Sequence, residues 1–327
     1  MSFTTKDLAR ICGVSLGTVD RAFRNRSGIK PETRERILAA ALEHGYKPNI
    51  LARNLKNRRT NEIGLIVHDL ENEFFAQLVN AIQEIAWARD YFLQIAISRR
   101  DEKRERAALE HMAGRNVDGI LLFPASSGES FDAFLHSLDR PIVTIANKVS
   151  PAWPFVGLSD RAVMRELTSS VIAKGYERLV FVGPLRASRE KINLYEIEER
   201  YAGFLEAVGA AKGVEGRLVA GSDYVEEIAS IDASEARTAI LCCSDIFALE
   251  ILEDFTRRGL SVPESVGLAG FDSIYALRFI RPRLSTVEYP IQRMGEIAFS
   301  ILVSNRDSET ATPLIELEPR IIWGESL

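Results

Sequence analysis

Three short blocks of apolar residues at helical spacing open the chain, each bounded by residues that start or stop helices. Leu8, Ala9 and Ile11 form the first stripe. Thr4 and Asp7 stand ahead of it as a capping box with Asp in place of Glu, and Gly13 ends it. Ser15 caps a second helix whose inward face is Val19, Ala22 and Phe23. A third starts at Pro31, a residue suited to the first helical position, runs on Ile37, Leu38, Ala41 and Leu42, and stops at Gly45. Helix, glycine turn, helix is the helix-turn-helix arrangement. Asn49 then caps a short stretch in which Leu51, Ala52 and Leu55 share one face; a helix this short is marginal alone.

From residue 62 the pattern changes. Aliphatic runs (Ile63–Val67, Phe92–Ile97, Gly119–Phe123, Pro141–Ile145) alternate with amphipathic stretches (Phe75–Ala88, Arg104–Arg115). The alternation restarts at Asp160 with a helix to Ala173, then strand Leu179–Val182, helix Arg200–Ala211 and strand Arg217–Val219. Strand Thr238–Leu241, helix Ile246–Arg258 and strand Val266–Ala269 complete the series. Continuous apolar strands separated by helices predict parallel sheets covered on both faces. The expected fold class is an all-α helix-turn-helix headpiece followed by α/β, with two doubly wound parallel-sheet lobes. Ligands in such sheets sit beyond the carboxyl ends of the strands, and a cleft between lobes is a favoured place.

Charge sharpens this division. Of the 327 residues, the first 60 hold 13 Lys/Arg against 5 Asp/Glu, and the remainder 28 against 41. A basic head on an acidic body is the electrostatic footprint of a nucleic-acid-binding module attached to something else. No apolar run approaches the length of a membrane span, so no membrane partner is expected. Met1–Asp7 lacks an export signal, and three cysteines (Cys12, Cys242, Cys243) give no disulfide framework, which together predict a cytoplasmic protein. His44, His68, His111 and His136 are scattered without metal-site spacing, so no metal is expected. His68 alone falls near the presumed cleft. Neither a P-loop nor a G-x-G-x-x-G turn occurs, no nucleophile–base constellation emerges, and neither a cofactor nor catalysis is expected.

The run Lys6-Asp7-Leu8-Ala9, Gly13-Val14-Ser15, Thr18-Val19-Asp20-Arg21, Pro31-Glu32-Thr33-Arg34 and Gly45-Tyr46-Lys47-Pro48-Asn49 resembles the LacI/GalR family of bacterial repressors. The likeness continues through Ile63–Val67, Asn72–Phe75, Val117–Ile120, Gly267–Asp272, Leu284–Val287 and Met294-Gly295. It implies that the second helix enters the major groove, with Leu16, Gly17 and Arg21 toward base edges; Arg21 can donate twice to guanine. Thr4, Ser15, Thr18, Asn25 and Thr33 are the phosphate-contact candidates. Asp20 stands where the family usually has Ser, and pairs with Arg24 at i+4 or faces the DNA. The resemblance further implies that Asn49–Lys56 is a hinge helix ordered across a dimer on DNA, with Leu55 as a minor-groove wedge. The body resembles periplasmic sugar-binding proteins (periplasmic binding protein-like, type I).

On that likeness the chain divides into a DNA-binding domain at 1–47 and a hinge helix and linker at 48–60. An N-terminal lobe follows at 61–158 plus 289–315, and a C-terminal lobe at 159–288 plus 316–327. Crossings between lobes are expected near 157–160, 286–290 and 314–318. Effector residues carried over by position are Asn72, Phe75, Ala146, Asn147, Arg200, Tyr224, Ser244, Asp272 and Tyr289. A planar arginine and an aspartate bind neighbouring hydroxyls while rings cover an apolar face. Four of these positions depart from the family: Ala146 where Asp is common, Asn147 for Arg, Ser244 for Asn and Tyr289 for Gln. The segment Leu185–Glu199 is longer than usual and reads as a loop whose Arg186, Arg189 and Lys191 are balanced by Glu190, Glu196, Glu198 and Glu199. The expected function is a dimeric transcriptional regulator, a repressor on a near-palindromic operator, controlled by a sugar-like effector between the lobes. An activator of the same architecture, or a metabolite-binding protein or enzyme not acting on DNA, are the alternatives.

Overall fold

Thr4 serves the first helix twice: its hydroxyl accepts from the Asp7 amide, and the Asp7 carboxylate accepts from the Thr4 amide at 3.1 Å. Helix α1 (Thr5–Ile11) follows, then α2 (Leu16–Phe23), whose Thr18 amide donates to Ser15 Oγ at 3.1 Å, then α3 (Pro31–Glu43). These observations come from a computed structural model that describes residues 3–23, 27–46, 59–184, 192–231, 236–304 and 313–327. The chain forms two units, Met1–Thr60 and Asn61–Leu327.

In the first unit Leu8, Ala9, Cys12, Val19, Ala22, Ile37 and Ala41 make the core, flanked by Phe23 and Tyr46. Two expectations fail here. Ile11 is 50% exposed and Cys12 takes its place, because the i+4 neighbour of Leu8 lies closer to the middle of the buried stripe than its i+3 neighbour. Leu42 is 85% exposed for the same angular reason: the stripe through Ile37 and Ala41 passes it by. Tyr46 folds back instead, its hydroxyl 2.6 Å from Thr5 Oγ1.

The second unit contains two parallel sheets. The larger runs in the order β11-β5-β4-β3-β1-β2, formed by β1 (Glu62–Val67), β2 (Phe92–Ile97), β3 (Ile120–Leu122), β4 (Ile142–Ile145), β5 (Phe155–Leu158) and β11 (Leu314–Leu317). The smaller runs β7-β6-β8-β9, from β6 (Arg178–Val182), β7 (Glu215–Val219), β8 (Thr238–Cys242) and β9 (Gly267–Ala269). Both read as apolar runs because helices cover both faces; every residue of β3, β4, β5, β8 and β9 is buried.

The α4 helix (Glu73–Trp87) and α11 (Ile291–Ser304) lie against each other beside the larger sheet, with α5 (Glu102–Gly114) and α6 (Glu129–Ser137) elsewhere on it. The smaller sheet carries α8 (Tyr195–Ala210), with α7 (Asp160–Ala173) packed on that helix, together with α9 (Tyr224–Ala229) and α10 (Asp245–Arg258). Helix α8 begins at Tyr195, five residues before the expected start, so Tyr195–Glu199 is helix and not loop. Glu196 and Glu198 in its first turn favour that start, since the helix N-terminus is the positive end. The cations expected in this segment (Arg186, Arg189, Lys191) lie outside the described residues.

The chain leaves the larger sheet at the ends of β5 and β11. Leu158, at the end of β5, pairs with Leu317 of β11, and the Ser159 amide donates to the Leu317 carbonyl at 3.1 Å. Beyond them β10 (Thr286–Glu288) pairs antiparallel with β12 (Arg320–Ile322), matching Thr286 with Ile322 and Glu288 with Arg320. The C-terminal residues return to the smaller sheet, where Leu268 donates its amide to the Ser326 carbonyl. Among the described residues no helix is long and apolar enough to cross a membrane.

Candidate functional site

On the headpiece, the turn Gly13–Ser15 aims the start of α2 outward. Ser15, Leu16, Gly17 and Arg21 are exposed, while Val19 and Ala22 on the opposite face are buried. Leu16 keeps 47% of its surface, large for an apolar side chain at a helix start. Arg21 lies on the same side, with Nη1 3.4 Å from the Gly28 carbonyl. Arg34 and Arg36 donate to the Ala22 and Cys12 carbonyls, which ties α3 to the first two helices. Thr4 is exposed at the start of α1, and Thr18 and Thr33 are half-buried. Asn25, Asn49 and Leu55, and the Arg24 considered as a partner for Asp20, lie outside the described residues.

The second unit holds a cavity of about 740 Å³ at the carboxyl ends of both sheets. One wall comes from the larger-sheet side (Asp69, Asn72, Phe75, Arg100, Phe123), the other from the smaller (Ile192, Glu196, Arg200, Tyr224, Ser244, Asp272). Of the nine expected effector residues the structure brings seven to this wall: Asn72, Phe75, Arg200, Tyr224, Ser244, Asp272 and Tyr289. Ala146 and Asn147 are buried and do not line it. Ala146 sits at φ 59°, a left-handed conformation that side chains rarely adopt, directly after β4. His68 is likewise behind the wall, wedged between the rings of Phe75 and Phe123 with Nδ1 3.3 Å from Ser98 Oγ. Burial, with help from Arg100, holds its pKa well below the usual histidine range, so it stays neutral.

Arg200 is the centre of the wall. It is 3% exposed, donates through Nε to Asp160 at 2.7 Å, through Nη1 to the Cys243 carbonyl at 2.5 Å, and through Nη2 to the Tyr289 hydroxyl. Its guanidinium lies 3.7 Å from the Phe271 ring centroid, a stacked cation–π contact. Burial works against its charge, but Tyr289, Asp160, Glu196 and Asp272 hold the pKa above the ordinary arginine value. The same burial raises the acids: Asp160 to about 6 despite Arg200, Asp272 well above the usual carboxylate range, and Glu196 upward. Three of the five N–H groups of Arg200 are taken by protein, which leaves two for a ligand.

Asp272 is delivered by strained backbone. Its φ is 120°, that of Ser273 is 56°, and its amide is pinned to the Val287 carbonyl at 2.9 Å. Asp245, which the sequence reading did not select, holds this loop: it accepts from Thr286 Oγ1 at 2.7 Å and from the Ile274 amide at 3.0 Å. Gly270 makes room for it, since a Cβ there would stand 2.1 Å from Asp245 Oδ1. On the other wall Asn72 caps α4 by accepting from the Phe74 amide at 3.1 Å, which places Phe74 and Phe75 at the cavity floor. Phe74 is both buried and part of the lining. Tyr224 closes the far side with its ring 4.9 Å from Phe247 and its hydroxyl donating to Glu250. Asp160, Glu196 and Asp245 escape a sequence reading, although Glu196 and Arg200 stand at i, i+4 on one helix face, a spacing that could have exposed the pair.

Cys242 and Cys243 are buried free thiols whose pKa values burial pushes up, Cys243 to about 12. Neither has the thiolate character of a reactive cysteine. Among the described residues no group of three or more His, Cys, Asp or Glu side chains is placed to hold a metal ion.

A helix-turn-helix with an exposed recognition face, in one chain with a two-sheet body that encloses a polar and aromatic cavity, defines a ligand-sensing transcriptional regulator. Comparison with known proteins agrees. Residues 4–49 match the model of the lacI family of bacterial regulatory proteins, and residues 168–327 that of the periplasmic binding protein-like domain. The chain is 30% identical over 335 residues to catabolite control protein A of Priestia megaterium, covering 100% of this chain and 99% of that one. It is 28% identical over 337 residues to the HTH-type transcriptional repressor PurR of Mannheimia succiniciproducens, at 99% and 98% coverage. Its fold matches the lac repressor dimer bound to operator and the anti-inducer ONPF with a TM-score of 0.84, at 20% identity over 100% of this chain and 99% of that one. The chain belongs to the lacI family of bacterial regulatory proteins.

Proposed function

We propose that this protein is a repressor that binds a near-palindromic operator as a homodimer and releases or tightens its grip when a small polyhydroxylated effector enters the cavity. The observation that carries the reading is the cavity wall. Two buried carboxylates, Glu196 and Asp272, and the two remaining N–H groups of Arg200 meet the ring-bearing floor of Phe74 and Phe75. Carboxylates accept from ligand hydroxyls, the guanidinium donates to ligand oxygens, and rings cover the apolar face of a sugar. Asn72, Tyr224, Ser244 and Tyr289 complete the set, whereas Ala146 and Asn147 act from behind the wall. The repressor direction follows the PurR relative.

On the DNA side Leu16, Gly17 and Arg21 read base edges, with Thr4, Ser15, Thr18, Asn25 and Thr33 on phosphates. Asn49 opens a hinge helix whose Leu55 wedges the minor groove. The division into residues 1–47, 48–60 and two lobes belongs to this same proposal. So does a cytoplasmic location, which suits free buried thiols and a DNA target, and a binding rather than catalytic role. Dimerisation is supported by the edge of the larger sheet: among the described residues β2 is its last strand, with Phe92 64% and Ile95 44% exposed, and Trp87 at the end of α4 is 72% exposed. Apolar side chains along an unpaired edge favour a second copy as cover.

The test is a thermal-shift screen of purified protein against neutral sugars, sugar acids, sugar phosphates and purines, followed by operator binding with and without each hit. A ligand at a hundredfold over Kd stabilises by about 2.7 kcal/mol. A dose-dependent shift that Asp272→Asn removes supports the reading, and the sign of the change in operator affinity assigns inducer or corepressor. Hits whose shift survives both Asp272→Asn and Glu196→Gln would move the effector elsewhere.

A further inference from the structure

One segment of the smaller-sheet body is tied to the larger-sheet body by side chains that do not line the cavity. The Asn193 amide donates to the Ala125 carbonyl at 2.7 Å, and its side-chain amide donates to the Lys148 carbonyl at 2.9 Å and the Ser126 carbonyl at 3.2 Å. From the opposite side Asn147 Oδ1 accepts from the Glu196 amide at 3.0 Å, and Asn147 Nδ2 reaches the Asn193 carbonyl at 3.5 Å. Both asparagines are buried, at 1% and 0% exposure. The Lys148 ammonium reinforces the tie, 4.8 Å from the Tyr195 ring and 2.8 Å from Glu316. Behind Ala125 stands Glu105, which accepts from the Ala125 amide at 2.7 Å.

The placement gives the tie a purpose beyond stability. Residues 124–126 follow β3 and residues 147–148 follow β4, both strands of the larger sheet, whereas residues 192–196 lead into α8 on the smaller one. Ile192, Leu194 and Glu196 alternate with Asn193 and Tyr195, so one set faces the cavity while Asn193 turns away to hold the other body. Arg200 lies one helical turn beyond Glu196. We propose that Asn193 and Asn147 are positioning residues of the effector site: they strap the first turn of α8 to the larger-sheet body and so set the gape of the cavity at which Glu196 and Arg200 meet a ligand. The inference rests on the cavity being the effector site. It gives Asn147 a different task from ligand contact, and it makes a ligand that displaces Glu196 a ligand that pulls on the strap.

The experiment uses the full chain and no ligand. Spin labels at Ser137→Cys on α6 and Lys212→Cys after α8, both exposed positions, report the distance between the bodies; the native cysteines are buried and stay unlabelled. Hydrogen exchange at the Asn193 and Glu196 amides reports the strap itself. Asn147→Ala removes the acceptor, and loss of one hydrogen bond of ordinary net strength raises Glu196 exchange about tenfold. Asn147→Asp keeps the acceptor for the Glu196 amide but turns its second oxygen on the Pro124 and Asn193 carbonyls, so Glu196 exchange stays slow while the Asn193 amide loses protection. Asn193→Asp sets a carboxylate against the Ser126 and Lys148 carbonyls, so both amides lose protection and the label distance distribution broadens while urea unfolding stays cooperative. Unchanged label distances in Asn193→Asp would overturn the proposal, and so would protection lost evenly across the smaller-sheet body, which marks a merely structural role. Because no readout involves an effector, a failed ligand screen would sink the functional reading and leave this result standing.

Discussion

Glu105 shows how much one buried side chain can set the terms for its surroundings. It is fully buried, with one oxygen holding the Ala125 amide, and burial raises its pKa from the ordinary 4.5 to about 7. The folded state therefore keeps a proton between pH 4.5 and 7 that the unfolded chain releases. Stability contributed here is intact below 4.5, falls as pH rises through that window, and levels off above 7. Glu105→Gln still offers an oxygen to Ala125 and removes the cost of ionisation. It should stabilise the chain by about 3 kcal/mol at pH 8.5 and by little at pH 4.5, read from urea unfolding midpoints at both values. A gain equal at the two pH values would sink this account. Residues of this kind are what a sequence hides. Arg200 and Asp272 were legible because their neighbours match a pattern, whereas Asp160, Asp245 and Glu105 draw their roles from partners between 20 and 41 positions away. Asn147 was selected for its position in the chain, yet its side chain turns to the Glu196 amide because Ala146, at positive φ, redirects the backbone after β4.

At the scale of the element, the pair α7 and α8 decides whether the site exists. Their axes approach closely enough that a Cβ on Gly203 would stand 2.1 Å from the Arg161 carbonyl oxygen. That oxygen is backbone and cannot turn aside. The close approach lets Arg200, one turn before Gly203, reach Asp160 at the start of α7. Gly203→Ala should cost about 3 kcal/mol through overpacking and pull the ion pair apart. Urea unfolding gives the first number, and a crystal structure or the loss of effector-induced stabilisation gives the second. Retention of wild-type stability would mean the helices sit further apart than described. Elements with strong local signals were legible: the capping box of α1, Pro31 at the start of α3, the aliphatic runs of β1 and β8. So were the short buried strands β3, β4 and β9, but not every short strand. The strands β5, β11 and β12 have three or four residues each, and their identity comes from strands they pair with across long sequence gaps. The early start of α8 was masked by its own glutamates, which read equally well as a solvated loop.

For the whole molecule, the uncovered edge of the larger sheet makes a prediction about assembly. Phe92→Asp and Ile95→Lys place charge on the two opposite faces of the edge strand β2, both of which a second copy pairing along that edge would cover. Either should shift the protein from dimer to monomer at micromolar concentration in sedimentation velocity, with operator affinity falling in step because two half-sites need two headpieces. An unchanged sedimentation coefficient in both variants would place the dimer contact elsewhere. The strand pairs where the chain leaves the larger sheet have a mechanical consequence of their own. Their strands are bonded side by side: β5 to β11 through Leu158 and Leu317, and β10 to β12 from Thr286 to Glu288. Paired strands flex across their flat face, but sliding them along their length breaks the ladder. The ladders that join the two bodies therefore resist a slide along the strands more than a change of angle, which leaves the angle to the Asn193–Asn147 strap at the rim. If the effector proposed above binds at the rim, its pull is then expected to change that angle first, before it displaces either sheet along its strands.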